Sequence, residues 1–262
     1  RLASGRFVVT AELTPPVATD PADFVARAAP LKGLATAVNV TDGAGAKAHL
    51  SSLVASRVLL DSGVEPILQM TCRDRNRIAL QSELMGAAAL GIRNLLLLKG
   101  DDPKQGDQPD AKPVFDYDTA ALTAVAVAMR DKGTLPTGKT VSGECDFFIA
   151  AADVPIDPKP GWEPASLKAK IAAGCEFVQT QFCMDADVVR RYLGMDGATQ
   201  KMGRAVGRWS DNPAAFKAAT RRLGHHGPYN PVLLAACRED QYAYEYTHGS
   251  VPYGAMTFML IQ

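Results

Sequence analysis

One carboxylic acid stands where a β-strand has to stop. In Arg6-Phe-Val-Val-Thr-Ala-Glu-Leu-Thr-Pro-Pro16 the apolar, β-branched run Phe7 to Ala11 predicts a strand covered on both faces. Pro15 and Pro16 cannot continue a ladder, so Glu12 falls at the strand's C-terminal end. In an α/β barrel such ends form the floor of the active site. A carboxyl kept dry there has a raised pKa and can donate a proton at neutral pH. The alternative is an edge carboxylate facing water, and position alone does not separate the two.

Other polar groups recur at predicted strand ends. Lys99-Gly100-Asp101 closes the fourth strand: Gly100 lets a ligand approach the backbone, and Asp101 presents a negative charge that would stabilise a cationic intermediate. Asp101 could equally cap a helix or sit in water. Gln181, between Thr180 and Phe182 on the sixth strand, offers donors and an acceptor together, which suits the edge of a pterin or a carboxamide. A Gln satisfied by nearby backbone is the other reading. The three arginines of Thr71-Cys-Arg-Asp-Arg-Asn-Arg77 suit an anionic tail or a salt-bridged helix start. His225-His226 and Cys237-Arg238 invite a His/Cys peptidase reading. They are too close in sequence for it, and Glu239 stands where a glycine is expected.

Positioning these groups requires a regular scaffold. Apolar runs end at Glu12, at Asp42, at Thr71, at Asp101, near Ile149 and at Phe182. Helical stretches lie between and after them, at about 21–32, 48–62, 75–90, 116–132, 164–173 and 185–194. Gly33, Gly63, Gly91 and Gly174 follow helices as C-terminal caps do, and Asp20-Pro21 reads as a helix start. Six βα units in series predict a parallel sheet. A dinucleotide-binding open sheet needs G-x-G-x-x-G after a strand, and Gly43-Ala-Gly45 lacks the third glycine. Polar residues at nearly every strand end favour an α/β (β/α)8 TIM barrel. Residues 102–115 and 153–163 read as long binding loops over its upper face. Residues 1–262 read as one domain whose last two units are atypical. From about Gly194 the rhythm breaks, and strands seven and eight can be assigned only to Val232–Cys237 and Met256–Ile261.

The bulk composition narrows the class. Apolar residues make up 47% of 262, enough for a sizeable core. Acidic and basic residues number 28 each without long runs, which gives no nucleic-acid footprint. No apolar stretch of ~20 residues predicts a membrane span. Five scattered cysteines without a C-x-x-C pair read as reduced thiols of a cytoplasmic protein.

Taken together, the chain resembles the methylenetetrahydrofolate reductase family. The resemblance rests on Thr10-Ala-Glu-Leu-Thr-Pro-Pro16, Asn39-Val-Thr-Asp-Gly43, Met70-Thr-Cys-Arg-Asp-Arg-Asn76, Lys99-Gly-Asp-Asp-Pro-Lys-Gln-Gly-Asp107, Leu167-Lys-Ala-Lys170 and Thr180-Gln-Phe182, in order over residues 6–192. It implies the family's barrel and NAD(P)H-dependent reduction of 5,10-methylenetetrahydrofolate to 5-methyltetrahydrofolate, a step of one-carbon metabolism that supplies methionine biosynthesis. Glu12 matches the family's general acid, and Asp101 the acid that contacts the pterin. Gln181 matches the folate-contacting glutamine, with Phe182 beside it. Thr41 and Lys170 match flavin contacts, and Gln69, Lys99 and Gly100 flank the same cofactor site. The departures concern FAD: Gln69 stands where His is frequent, Ala151-Ala-Asp-Val-Pro155 replaces Tyr-Pro-Glu-x-His, and Ala169 replaces an Arg. Stacking and phosphate neutralisation are lost with them, which implies weak or absent flavin binding. The reverse oxidation and a non-catalytic folate-binding barrel are the rival functions. Oligomeric state is not implied.

Overall fold

The computed structural model describes residues 8–181, 188, 191–192, 245–248 and 251–254. Within them strands and helices alternate: β1 (Thr10–Leu13), α1 (Ala22–Ala28), β2 (Ala37–Val40), α2 (Ser52–Asp61), β3 (Pro66–Thr71) and α3 (Arg77–Ala89). β4 (Asn94–Leu98), α4 (Thr119–Lys132), β5 (Phe148–Asp153), α5 (Ala165–Ala172) and β6 (Phe177–Thr180) follow. The six strands form one sheet in the order β1 to β6, and the first five pair in parallel. An open doubly wound sheet reverses its strand order at a switch point. No reversal occurs here, and the fold is a (β/α)8 barrel of which six successive units are described.

The faces of the sheet follow from strand alternation. Leu68, Met70, Leu95, Leu97 and Ile149 pack with Leu80, Leu84 and Ala87 of α3 and Leu122, Ala126 and Met129 of α4. Ala11, Leu13, Val38 and Val40 pack in the same way with Phe24 and Ala28 of α1 and Ala55 and Leu59 of α2. These residues make the helix-covered face. The intervening positions Ala37, Ile67, Leu96 and Ala150 form a separate apolar cluster on the opposite, inner face. Leu80 and Leu84, a turn apart and fully buried, show why α3 lies where it does. Truncating either to Ala removes about 2–5 kcal/mol.

Local signals set the element ends. The Asn76 side chain accepts from the N–H groups of Ile78 and Ala79 at the start of α3, and Asp118 accepts from Ala121 at the start of α4. Gly91, with φ 75°, ends α3 as its sequence position predicts. The expected strand ends need correction: β2 closes at Val40 rather than Asp42, β4 at Leu98 rather than Asp101, and β6 at Thr180, which leaves Gln181 beyond the strand. β1 runs through Glu12 to Leu13, so the acid is its penultimate residue. β5 does not end near Ile149 but continues to Asp153, because Ala150, Ala151 and Ala152 extend the ladder with small side chains that fit a covered strand.

The chain divides into two compact units, Arg1–Ala152 with Ala165–Gln179, and Asp153–Pro164 with Thr180–Gln262. In the second, the Tyr192 hydroxyl donates to the Asp153 carboxylate, burial and this bond raise the pKa of Tyr192, and Trp162 stacks at a tilt on Tyr192. A hairpin there pairs Glu245–His248 with Val251–Gly254. Gly249-Ser250 lies between the two strands in sequence, a composition short hairpin connections favour. The strands expected at Val232–Cys237 and Met256–Ile261 lie outside the described residues. Among the described residues no helix is long and apolar enough to cross a membrane.

Candidate active site on the inner face of the sheet

Alternation decides where Glu12 points. Ala11 and Leu13 face the helices, so Glu12 projects from the inner face. Asn39, its partner in the β1–β2 register, lies two residues after Ala37, and Gln69 two after Ile67, which puts both on that face too. Neighbouring strands thus carry the polar side chains Glu12, Asn39 and Gln69 on the inner face they share with the apolar cluster of Ala37, Ile67, Leu96 and Ala150, where Ile67 pairs with Asn39 and Leu96 with Gln69 in register. Polar groups set beside apolar ones in this way suit a flat heterocycle with polar edges.

The Gln69 amide Nε2 donates to Glu12 Oε2 at 3.0 Å. Glu12 keeps side-chain surface open to water, yet it lies deep enough in the protein that desolvation is the largest influence on its carboxyl and raises its pKa. The hydrogen bond from Gln69 works against that rise. Glu12 thus stands on the inner face with its side chain open to water. Behind it, the Pro15 carbonyl lies 2.9 Å from His49 Nδ1 and the Pro16 carbonyl accepts from Leu50 N–H, which fixes the chain leaving β1.

Asp101 follows β4. Its Oδ2 accepts from Gly45 N–H at 3.0 Å, so it clasps the turn that follows β2. The cap of the short turn Pro103–Gln105 is Asp102, not Asp101. Arg73, 3% exposed, donates to the Asp101 carbonyl, the Gly43 carbonyl and the Asp74 carboxylate. Arg75 grips Asp42, which also accepts from Ser52 and from the backbone and side chain of Thr71. Burial pushes the Asp42 carboxyl up, and the bonds from Arg75 and Thr71 outweigh it and hold it below the usual carboxylate range. The arginines after β3 therefore serve the salt-bridged helix start, with Arg77 on Asp116. Gly100, at φ 94°, has a structural reason: a Cβ there would meet Arg73 Cβ at 2.9 Å and Thr71 Cβ at 3.1 Å.

The remaining predicted residues divide. The Thr41 hydroxyl is buried without a partner, as is Asn39 Oδ1. The Lys99 ammonium lies over the Phe115 ring, 5.7 Å from its centroid. Lys170 donates to the Ala152 carbonyl at 2.7 Å. Gln181 is exposed and belongs to the second unit, where its N–H donates to the Asp153 carbonyl. Phe182 lies outside the described residues. Cys72 and Cys145 are buried thiols, and burial with the nearby Asp118 charge pushes Cys72 up to about 12, far from reactive. Sequence reasoning missed Asn39 as a site residue. A lone amide within Ala37-Val-Asn-Val40, two residues before Thr41, was the available signal.

For Thr41, Gln69, Lys99 and Lys170 as holders of a dinucleotide, the fit is poor. Thr41 alone keeps a buried group awaiting a partner. The Gln69 amide is taken by Glu12, Lys99 by Phe115 and Lys170 by backbone. This set leaves no cation poised at the inner face for a diphosphate.

The family model for methylenetetrahydrofolate reductase matches residues 1–201. The chain is 28% identical over 151 residues to a probable methylenetetrahydrofolate reductase (NADPH) of Caenorhabditis elegans, covering 56% of this chain and 20% of the relative. It is 26% identical over 196 residues to the 5,10-methylenetetrahydrofolate reductase of Pectobacterium carotovorum, covering 72% and 58%. The matches thus span a fifth to under three fifths of these relatives' lengths. Among solved structures, a Clostridium thermocellum protein described as binding two copies of 5-methyl-5,6,7,8-tetrahydrofolic acid aligns with a TM-score of 0.48. It shows 10% identity over 75% of this chain and 62% of that one.

Proposed function

From the premise that the chain belongs to the methylenetetrahydrofolate reductase family, we propose that it reduces 5,10-methylenetetrahydrofolate to 5-methyltetrahydrofolate with a dihydronicotinamide as hydride donor. The observation that carries the reading is Glu12: a desolvated carboxyl of raised pKa, held by Gln69 on the inner face of the sheet. A carboxyl whose proton is held more tightly than usual is what opening the substrate's five-membered ring requires.

In the proposed reaction Glu12 gives its proton to a nitrogen of the methylene bridge. The carbon–nitrogen bond breaks, and its electron pair stays on that nitrogen. The bridging carbon remains on the other nitrogen as a methylene iminium cation. Hydride from the dihydronicotinamide adds to this carbon with its electron pair, giving the methyl product and oxidised nicotinamide. Asp101, clasped by Gly45, supplies negative charge for the cation. Gln181 and Phe182 would anchor the pterin, and the unpartnered Thr41 hydroxyl would serve the nicotinamide or the folate. NADPH is favoured as donor by the name of the C. elegans relative.

The poor fit of Gln69, Lys99 and Lys170 to a dinucleotide, with Ala169 beside Lys170, supports weak or absent FAD binding and direct hydride transfer between the two substrates. Anaerobic incubation with methylenetetrahydrofolate and NADH or NADPH, with and without added FAD, tests the reading. Methyltetrahydrofolate should form from one nicotinamide without added flavin. Folate binding without nicotinamide oxidation in any arm would make the chain a binding protein instead.

A further inference from the structure

The Gln69 amide is committed to the acid. We propose that Gln69 is a positioning residue that occupies one oxygen of Glu12 and so places the transferable proton on the other; this rests on Glu12 acting as the acid. Three observations lead there. Gln69 Nε2 donates to Glu12 Oε2 at 3.0 Å from the middle of β3, two strands away in the sheet. Gln69 is 6% exposed and flanked by Leu68 and Met70, each packed against the helices, so its arm is held by two anchored neighbours. Asn39, between them on β2, donates from its amide nitrogen to the Ala11 carbonyl, and among the described residues Gln69 is the side chain that donates to Glu12.

The arrangement has a chemical consequence. An N–H on Oε2 repels a proton there, so the neutral acid carries its hydrogen on Oε1. When Oε1 delivers that proton, the carboxylate left behind is already solvated on its other oxygen. Desolvation favours the neutral form of Glu12, and Gln69 stabilises the ion that remains after transfer, which makes the desolvated acid a stronger one. Among the described residues no charged group shares this role: β2 and β3 present Asn39 and Gln69 beside Glu12, and neither Asp42 with Arg75 nor Arg73 with Asp74 and Asp101 contributes to its shift.

The test is the titration of Glu12 itself. Its side-chain carboxyl carbon-13 resonance, assigned by its loss in Glu12→Gln, is followed with pH in the unliganded protein, and kcat/KM is followed over the same range. Gln69→Met keeps the length of the arm and removes the N–H. Gln69→Asn keeps an amide on an arm too short to reach, and serves should the Met variant not fold. In either, proton affinity at Glu12 should rise about tenfold, as expected for losing a hydrogen bond to a charged group, and the alkaline limb of kcat/KM should move up with it at a lower limiting rate. An unchanged Glu12 titration overturns the proposal whatever the activity. A shifted titration with an unshifted rate profile upholds the pairing and withdraws instead the assignment of Glu12 as the acid.

Discussion

In the proposed reaction Glu12 must hold a proton and then release it, and its neighbours rather than its identity govern both. Desolvation favours the neutral form, and Gln69 limits how far that goes. Replacing Glu12 with Gln should lower kcat by about 10²–10⁴-fold, the usual worth of a positioned acid, with folate binding little changed; turnover equal to wild type would remove the assignment. Stability should respond in the opposite sense. A carboxyl whose folded pKa is raised contributes stability that is fully present below its unfolded value of about 4.3 and is lost as pH rises through the folded value. Glu12→Gln should therefore gain in Tm relative to wild type as pH is raised from about 4 to 8. A Tm difference constant over that range would contradict a desolvated acid. Glu12 was legible in sequence because prolines follow it; its partner was not, since 57 positions separate it from Gln69.

Between strands and helices, the ends of β2, β3 and β4 are tied by two arginines. Arg75, Asp42, Thr71 and Ser52 form a buried knot, and Arg73 bridges the turn after β2 to the residue after β4. Removing one partner of a buried pair leaves the other uncompensated. Arg75→Met should cost about 3 kcal/mol in chemical denaturation, and a loss under about 0.5 kcal/mol, the range of a surface change, would show the pair to be dispensable. The knot's own pH dependence is that of a depressed carboxylate: its contribution is present above the unfolded Asp value and is lost as pH falls through the lower folded one. Gly100→Ala would force a Cβ to 2.9 Å from Arg73 at positive φ. It should destabilise by about 1–3 kcal/mol and lower kcat by displacing Asp101; an active, fully stable variant would sever that link.

At the scale of the sheet, six strands in sequential order, the first five paired in parallel, carry the polar side chains of the first three on one face and the helix contacts on the other. The cationic groups expected at a flavin are spent within the scaffold, on Phe115 and on the Ala152 carbonyl. Purified protein should therefore lack a stoichiometric absorbance band near ~450 nm, the mark of an oxidised flavin serving as cofactor. Such a band would overturn weak flavin binding while leaving Glu12 in place. The barrel was legible because Gly63, Gly91 and Gly174 follow helices at positive φ and most strand residues are apolar. The length of β5 was not, since its alanines carry no strand signal of their own.

The order of βα units, the family and an acid at the end of β1 were written in local patterns, because strand period, proline stops and motif spacing act over a few residues. Which face Glu12 takes, that Gln69 meets its carboxyl, and that Arg73 and Arg75 brace the strand ends were decided only when distant strands paired. Burial and hydrogen bonding between residues tens of positions apart depend on the register of the sheet, and a linear reading of residue types contains no register.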